Sequence, residues 1–171
     1  MAYFLPAGKP EELMALAWLL EDGSRKFCAA MAQRLEDPAA RTLYRGLMAD
    51  EGKHQESLLR LYRETTGLKA DPGFPGAVIS AEPAEAYMEG GMRLNEAMEW
   101  EKEKDLLDIL ELSLSLEVNS SDLYIKMERK VEDEKAKKTF QVLAEEEKEH
   151  LSRLNSVFER SLGKSGKAMG S

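Results

Sequence analysis

The sequence predicts an all-α protein, a four-helix bundle made of two repeated helix pairs that a long crossover joins. Three observations predict this fold. Apolar residues recur at helical spacing along four long segments. Proline and glycine concentrate between the second and the third of these segments. The two halves of the chain also match without a gap at an offset of 96 residues.

The first helix pair is bounded by clear start and stop signals. Pro10 suits the first turn of a helix, where its missing N–H costs nothing. Asp37-Pro38 then separates the two helices, with Asp37 as an N-cap. The second helix runs to about Thr66, and Gly67 is its predicted C-cap. The inward face of the first helix carries a stripe of apolar residues: Leu13, Leu16, Ala17, Leu20, Phe27, Cys28, Met31 and Leu35.

The crossover and the second helix pair follow. Residues 67–83 are rich in proline and glycine, and we predict a short helical piece over 83–89, a break at Gly90-Gly91 and helix again from near Leu94. The third long helix covers roughly 102–131. Asp133 caps the fourth, which spans 134 to about 162 and ends at Gly163. We therefore expect one domain over residues 1–163 and a disordered tail over 164–171.

Each half of the chain carries one Glu-x-x-His motif within an inward apolar stripe. Glu51 and His54 interrupt the stripe of the second helix, and Glu147 and His150 interrupt that of the fourth. Residues three apart share one face of a helix. A buried carboxylate needs a partner, and both a histidine one turn away and a metal ion can serve.

The internal repeat adds two further glutamates. Ten of the 38 positions from 21 to 58 are identical to their partners in the second half, and Glu21 falls on Glu117. About a twofold axis, the two halves then converge as four carboxylates and two imidazoles, the ligand set of carboxylate-bridged two-metal bundles. Four carboxylates nearly neutralise two divalent ions. The predicted metal ligands are Glu21, Glu51, His54, Glu117, Glu147 and His150.

Composition excludes several classes of function. The formal charge of −8 argues against a nucleic-acid binder. The single cysteine, Cys28, allows no intramolecular disulfide and no Cys-x-x-Cys metal site, and we expect a small buried residue there. No apolar stretch is long enough to span a membrane, and the first residues do not resemble a signal peptide. We expect a cytoplasmic location.

The chain resembles the ferritin-like di-iron superfamily, and within it the rubrerythrin-like branch, over about residues 10–162. The resemblance rests on Leu20-Glu21-Asp22-Gly23, Asp50-Glu51-x-x-His54, Leu116-Glu117, Val131-Glu132-Asp133 and Glu145-Glu146-Glu147-Lys148-Glu149-His150. It implies that Glu21, Glu51 and His54 serve one iron and that Glu117, Glu147 and His150 serve the other, with Glu51 and Glu147 bridging. Manganese or zinc can occupy the same ligands. A homodimer is also implied.

The resemblance implies a redox enzyme that detoxifies hydrogen peroxide, or reacts with dioxygen, under oxidative stress. Two departures qualify it. Ser120 stands where rubrerythrins carry a further carboxylate, and there is no rubredoxin domain, so electrons must come from a separate donor such as a rubredoxin. A ferroxidase or iron-handling protein, a di-iron hydroxylase of an organic substrate and a structural bundle are the alternatives. Tyr124 is expected to be a core residue, with a hydrogen bond to a ligand as its alternative role.

Overall fold

The described part of the chain consists almost entirely of helices. The computed structural model describes residues 9–67, 73–76, 78 and 86–168, the last five for their backbone only. Within these residues lie five α-helices and two 3₁₀ turns, and the all-α fold class is confirmed. None of the helices described is both long and apolar enough to cross a membrane. The helices are α1 Pro10–Arg34, α2 Pro38–Thr66, α3 Leu94–Trp100, α4 Leu106–Lys130 and α5 Glu134–Ala168, and the 3₁₀ turns are Glu89–Gly91 and Glu101–Glu103.

The caps predicted from the sequence are present. The Asp37 side chain accepts hydrogen bonds from the N–H groups of Ala39 and Ala40 at 2.9 and 3.0 Å. Asp133 accepts one from the N–H of Ala136 at 2.8 Å. Gly67 has φ 71° and ends α2 in the left-handed conformation, which glycine adopts without a steric penalty. These caps fix where each helix pair turns.

Helix α4 begins later than the sequence predicted. Instead of a helix from about residue 102, the chain forms a 3₁₀ turn over 101–103, and extended backbone follows at Lys104. Asp105 then caps the helix. Its side chain accepts from the N–H of Asp108, whose side chain accepts from the N–H of Asp105. This reciprocal capping box satisfies two backbone donors and explains the later start.

Helix α5 ends later than predicted, at Ala168 rather than at Gly163. A Cβ at Gly163 would have no neighbour within 4 Å. A glycine within a helix costs only about 1 kcal/mol relative to alanine, which does not suffice to end it. Residues 169–171 lie outside the described residues, as do 1–8, 68–72, 77 and 79–85. The division into a domain over 1–163 and a tail therefore stays a prediction.

The helices pack in a ring that one 3₁₀ turn completes. Close backbone contacts join α1 to α2, α4 to α5 and α2 to α5, whereas α1 and α4 each contact the turn Glu89–Gly91. The approach is tight, since a Cβ at Gly23 of α1 would lie 2.2 Å from the carbonyl oxygen of Tyr87. Gly90 has φ 81°, and a Cβ there would lie 2.7 Å from Cδ2 of Leu116. The crossover is thus built into the bundle.

The apolar core forms two clusters, and every long helix passes from one to the other. The first cluster includes Phe27, Met31, Leu43, Leu47, Ile109 and Leu154. The second includes Leu13, Leu20, Leu58, Tyr62, Leu123 and Phe140. In each of the four long helices the change of cluster occurs at the predicted glutamate or Glu-x-x-His motif. The buried polar residues therefore lie between two apolar clusters, near the middle of the bundle.

Candidate metal centre

The structure brings the six predicted residues together. They form two overlapping groups, and within each group one potential ligand atom per residue lies within 4.8 Å of all the others. All six side chains are buried. Each group takes one glutamate and one histidine of its own and shares Glu51 and Glu147 with the other. The groups are Glu21, Glu51, His54 and Glu147, and Glu51, Glu117, Glu147 and His150.

The imidazole of His54 points its Nδ1 atom at three carboxylates. The distances are 3.2 Å to Glu21 Oε2, 3.1 Å to Glu51 Oε2 and 3.4 Å to Glu147 Oε1. These three glutamates come from α1, α2 and α5, so a single ring nitrogen faces three helices.

His150 repeats this arrangement in the other half. Its Nδ1 lies 3.3 Å from Glu117 Oε2, 3.2 Å from Glu147 Oε2 and 3.6 Å from Glu51 Oε1. The two imidazole rings stack with centroids 5.5 Å apart. The predicted twofold relation between the halves is therefore present in the side chains themselves.

These spacings fit two metal ions. Ligand atoms about 2.1 Å from an ion, with angles of about 90–109° between bonds, lie roughly 3.0–3.4 Å apart. The Nδ1 to carboxylate distances of 3.1–3.6 Å match that spacing closely. Both oxygens of Glu51, and Oε1 of Glu147, are buried without a hydrogen-bond partner. Bridging two cations would satisfy these oxygens.

The electrostatics of the cluster also favour cations. Burial raises the pKa of Glu51 and of Glu147 well above the usual carboxyl range, and neighbouring carboxylates add to the effect. Burial would likewise raise the pKa of Glu117, but hydrogen bonds with Glu147 and His150 bring it below its usual value. For both imidazoles burial acts downwards, yet contacts with the carboxylates raise the pKa overall. Without metal, protons must compensate the charge that two divalent ions would compensate.

Carboxylates outside the cluster also face the outer nitrogens of the two histidines. His54 Nε2 lies 2.8 Å from Glu146, a residue of the other half, and His150 Nε2 lies 3.8 Å from Asp50. Asp50 is also paired with Arg153 at 2.7 Å. Carboxylates in such positions orient metal-binding imidazoles. The sequence held a signal for them, because Asp50 and Glu146 are partners in the 96-residue repeat.

One buried carboxylate near the centre was not predicted. Glu89, in the 3₁₀ turn between α1 and α4, is 2% exposed, and burial raises its pKa to about 8. Its Oε1 accepts a hydrogen bond from the Ser120 hydroxyl and lies 2.8 Å from the Tyr124 hydroxyl. The Tyr124 hydroxyl also donates to Glu21. Tyr124 is fully buried, as expected for a core residue. It also donates a hydrogen bond to a predicted ligand, which was the alternative expectation.

Two cavities adjoin the centre. A groove of about 480 Å³ between α2 and α5 reaches His54 and Glu146. Its lining combines the apolar residues Leu61, Val142 and Leu143 with charged and polar ones: Lys53, Ser57, Arg60, Glu64, Lys135 and Lys138. An internal cavity of about 10 Å³, room for roughly one water molecule, lies on the other side, against α1 and α4. Cys28, Glu89 and Glu117 are among its lining residues. Cys28 is buried, as predicted.

Comparisons with known proteins agree with this description. A family model described as Rubrerythrin matches residues 108–166, which span most of α4 and α5. The solved structure of a hypothetical protein from Pyrococcus furiosus is similar over 91% of both chains, with a TM-score of 0.65 and 24% identity, which shows the fold alone. A search of curated proteins gives no significant match. The family match confirms the predicted resemblance to the ferritin-like di-iron superfamily, and the buried cluster offers ligand atoms at the spacing that a metal ion needs.

Proposed function

We propose that this protein is a rubrerythrin-like di-iron oxidoreductase that reduces hydrogen peroxide or dioxygen. In this proposal Glu21, Glu51 and His54 would hold one iron, Glu117, Glu147 and His150 would hold the other, and both ions would share Glu51 and Glu147. The observation that carries the proposal is the pair of overlapping four-residue groups that share Glu51 and Glu147. Four carboxylates on two divalent ions leave no net charge in the buried site, which lowers the cost of burying it.

The reaction needs electrons and protons in equal number. Reduction of one hydrogen peroxide to two water molecules consumes two electrons and two protons, as does reduction of dioxygen to hydrogen peroxide. Iron supplies the redox chemistry, one electron from each of two ferrous ions. In this proposal a separate protein such as a rubredoxin returns the electrons. The residues of the chain itself hold the ligands in place and exclude solvent.

The residues around the cluster hold its ligands and keep solvent away. Glu146 accepts a hydrogen bond from Nε2–H of His54, which leaves Nδ1 free to face the carboxylates. The Tyr124 hydroxyl donates a hydrogen bond to one oxygen of Glu21. The apolar clusters on both sides exclude water along the bundle, so the charges at the centre interact in a medium of low dielectric constant.

Metal analysis and rapid oxidation test the proposal. Protein prepared without oxygen is loaded with ferrous iron, and the bound iron is counted. Stopped-flow absorbance then follows oxidation by peroxide and by dioxygen in parallel. We expect two iron ions per chain and faster oxidation by peroxide. Glu51→Gln/Glu147→Gln should bind neither ion, whereas Glu56→Gln/Glu149→Gln, on exposed faces of the same helices, should behave as wild type.

The alternatives have distinct outcomes in the same experiment. Faster reaction with dioxygen, together with cage-sized assemblies in light scattering, would indicate ferroxidase or iron storage instead of a peroxidase in a homodimer. Manganese or zinc retained in place of iron would change the proposed metal. A hydroxylase needs an apolar channel for its substrate, and the groove at His54, where Leu61, Val142 and Leu143 lie among charged residues, is the place to test for one. Wild-type protein that binds no metal would contradict the proposal as a whole.

A further inference from the structure

Glu89 lies in the turn of the crossover that packs against the predicted metal centre. Its turn contacts both α1 and α4. Its backbone N–H donates to Ser24 Oγ at 3.1 Å, and its carboxylate accepts from the Ser120 hydroxyl. Ser24 and Ser120 are identical partners in the 96-residue repeat. Neither serine belongs to the six predicted ligands, and both contact this single glutamate.

The Tyr124 hydroxyl connects Glu89 to the centre. Its oxygen is within hydrogen-bond distance of Oε1 of Glu89 and of Oε1 of Glu21. A phenol has one hydrogen and cannot donate to two carboxylates at once. Both contacts are satisfied when Glu89 donates to Tyr124 and Tyr124 donates to Glu21. The result is a hydrogen-bond chain that runs from the crossover to a predicted ligand.

We propose that Glu89 is a positioning residue of the metal centre, which fixes the Glu21 carboxylate through the hydroxyl of Tyr124. The inference rests on the proposed metal site. Glu89 also shares the small internal cavity with Glu117, so it reaches the inner side of the cluster. Partners that orient a metal ligand typically contribute 10- to 100-fold to metal affinity. Here the crossover, rather than any of the four long helices, supplies that partner.

Two substitutions at residue 89 separate hydrogen bonding from packing. Glu89→Met keeps the approximate volume and removes the hydrogen bonds, and we expect Co²⁺ affinity to fall by about 10- to 100-fold at the position that Glu21 serves. Glu89→Gln keeps hydrogen bonds with Ser120 and Tyr124, because its amide nitrogen has two hydrogens, one for each partner. It should therefore retain wild-type affinity. Competition with a chelating dye measures the affinity, and the visible spectrum of bound Co²⁺ reports ligand geometry.

A double-mutant cycle tests the route through Tyr124. Tyr124→Phe should weaken Co²⁺ binding about as much as Glu89→Met, and combining the two should add no further loss. The matched control is Glu101→Met, because Glu101 is the other buried glutamate that the structure describes between α2 and α4, and it pairs with Arg34 at 2.7 Å, away from the centre. The control should lower the melting temperature without changing Co²⁺ affinity.

Three results would overturn the inference while wild type still binds two Co²⁺ ions. Glu89→Met could bind as wild type does. Glu89→Gln could lose as much affinity as Glu89→Met, which would mean that the charge of Glu89 acts directly. The losses in the cycle could multiply, which would exclude Tyr124 as the link. Wild-type protein that binds no Co²⁺ would overturn the proposed function and this inference together.

Discussion

Replacing the two bridging candidates, Glu51 and Glu147, should stabilise the metal-free protein and abolish metal binding. Three of the four carboxyl oxygens of Glu51 and Glu147 are buried without a hydrogen-bond partner. An unsatisfied buried acceptor costs about 1–3 kcal/mol. Glu51→Gln/Glu147→Gln replaces one carboxyl oxygen of each residue by an amide nitrogen that donates to the neighbouring carboxylates, so two of these acceptors are removed. We therefore expect a gain of about 2–6 kcal/mol in the free energy of unfolding without metal.

Thermal unfolding with and without metal measures both effects. For a chain of this size, 1 kcal/mol shifts Tm by about 2–4 °C, so the metal-free variant should melt at least about 4 °C above wild type. Wild type should gain about 2.7 kcal/mol at a metal concentration of 100 Kd, and the variant nothing. The Glu56→Gln/Glu149→Gln control should match wild type in both conditions. A variant with unchanged Tm and normal metal content would refute the account of these oxygens.

Three further predictions concern the surroundings of the centre. Glu146→Ala should weaken metal binding about 10- to 100-fold in a chelator competition, while alanine at its exposed neighbour Glu145 should not. Gly90→Ala should lower both the free energy of unfolding, by about 1–2 kcal/mol, and metal affinity. Gly67→Ala, at similar φ with open space around it, should lower stability alone. Metal-free protein should lose stability between about pH 5 and pH 8, because Glu89, with its pKa raised to about 8, keeps in the folded state a proton that the unfolded chain releases above about pH 4.5. Each such proton gives a slope of up to about 1.4 kcal/mol per pH unit, and a Tm that rises over this range would contradict the prediction.

The fold and the six-residue cluster were predictable because both repeat. Helical spacing of apolar residues recurs in four segments, and the offset of 96 residues aligns the glutamates and histidines of the two halves. The capping residues Asp37 and Asp133 also coincide at that offset, and each accepts N–H hydrogen bonds at the start of its helix. A pattern that occurs twice in register constrains the packing as well as the local structure, since both copies must bury the same face.

Glu89 could not be predicted in this way, because it lies in the irregular crossover. No periodic pattern marks an inward face there, and burial depends on where the turn docks against α1 and α4. The nearest signals were indirect. Gly90 follows Glu89 and has positive φ in the structure, and Ser24 and Ser120 match in the repeat without any ligand role to explain them. Such an unexplained identity indicated a shared contact, although not its partner.

The contacts outside the cluster make the two proposed metal positions unequal. At the first, Tyr124 donates to Glu21, and Glu146 holds His54 at 2.8 Å. At the second, Cys28 occupies the repeat position of Tyr124, and Asp50 lies 3.8 Å from His150, beyond hydrogen-bond distance.

Because these outer contacts orient ligands, the position served by Glu21 and His54 should fill first. A Co²⁺ titration should show two separate steps, and Tyr124→Phe should weaken the first step and leave the second. A single step for two equal sites in wild type would mean that the symmetric ligands alone determine affinity.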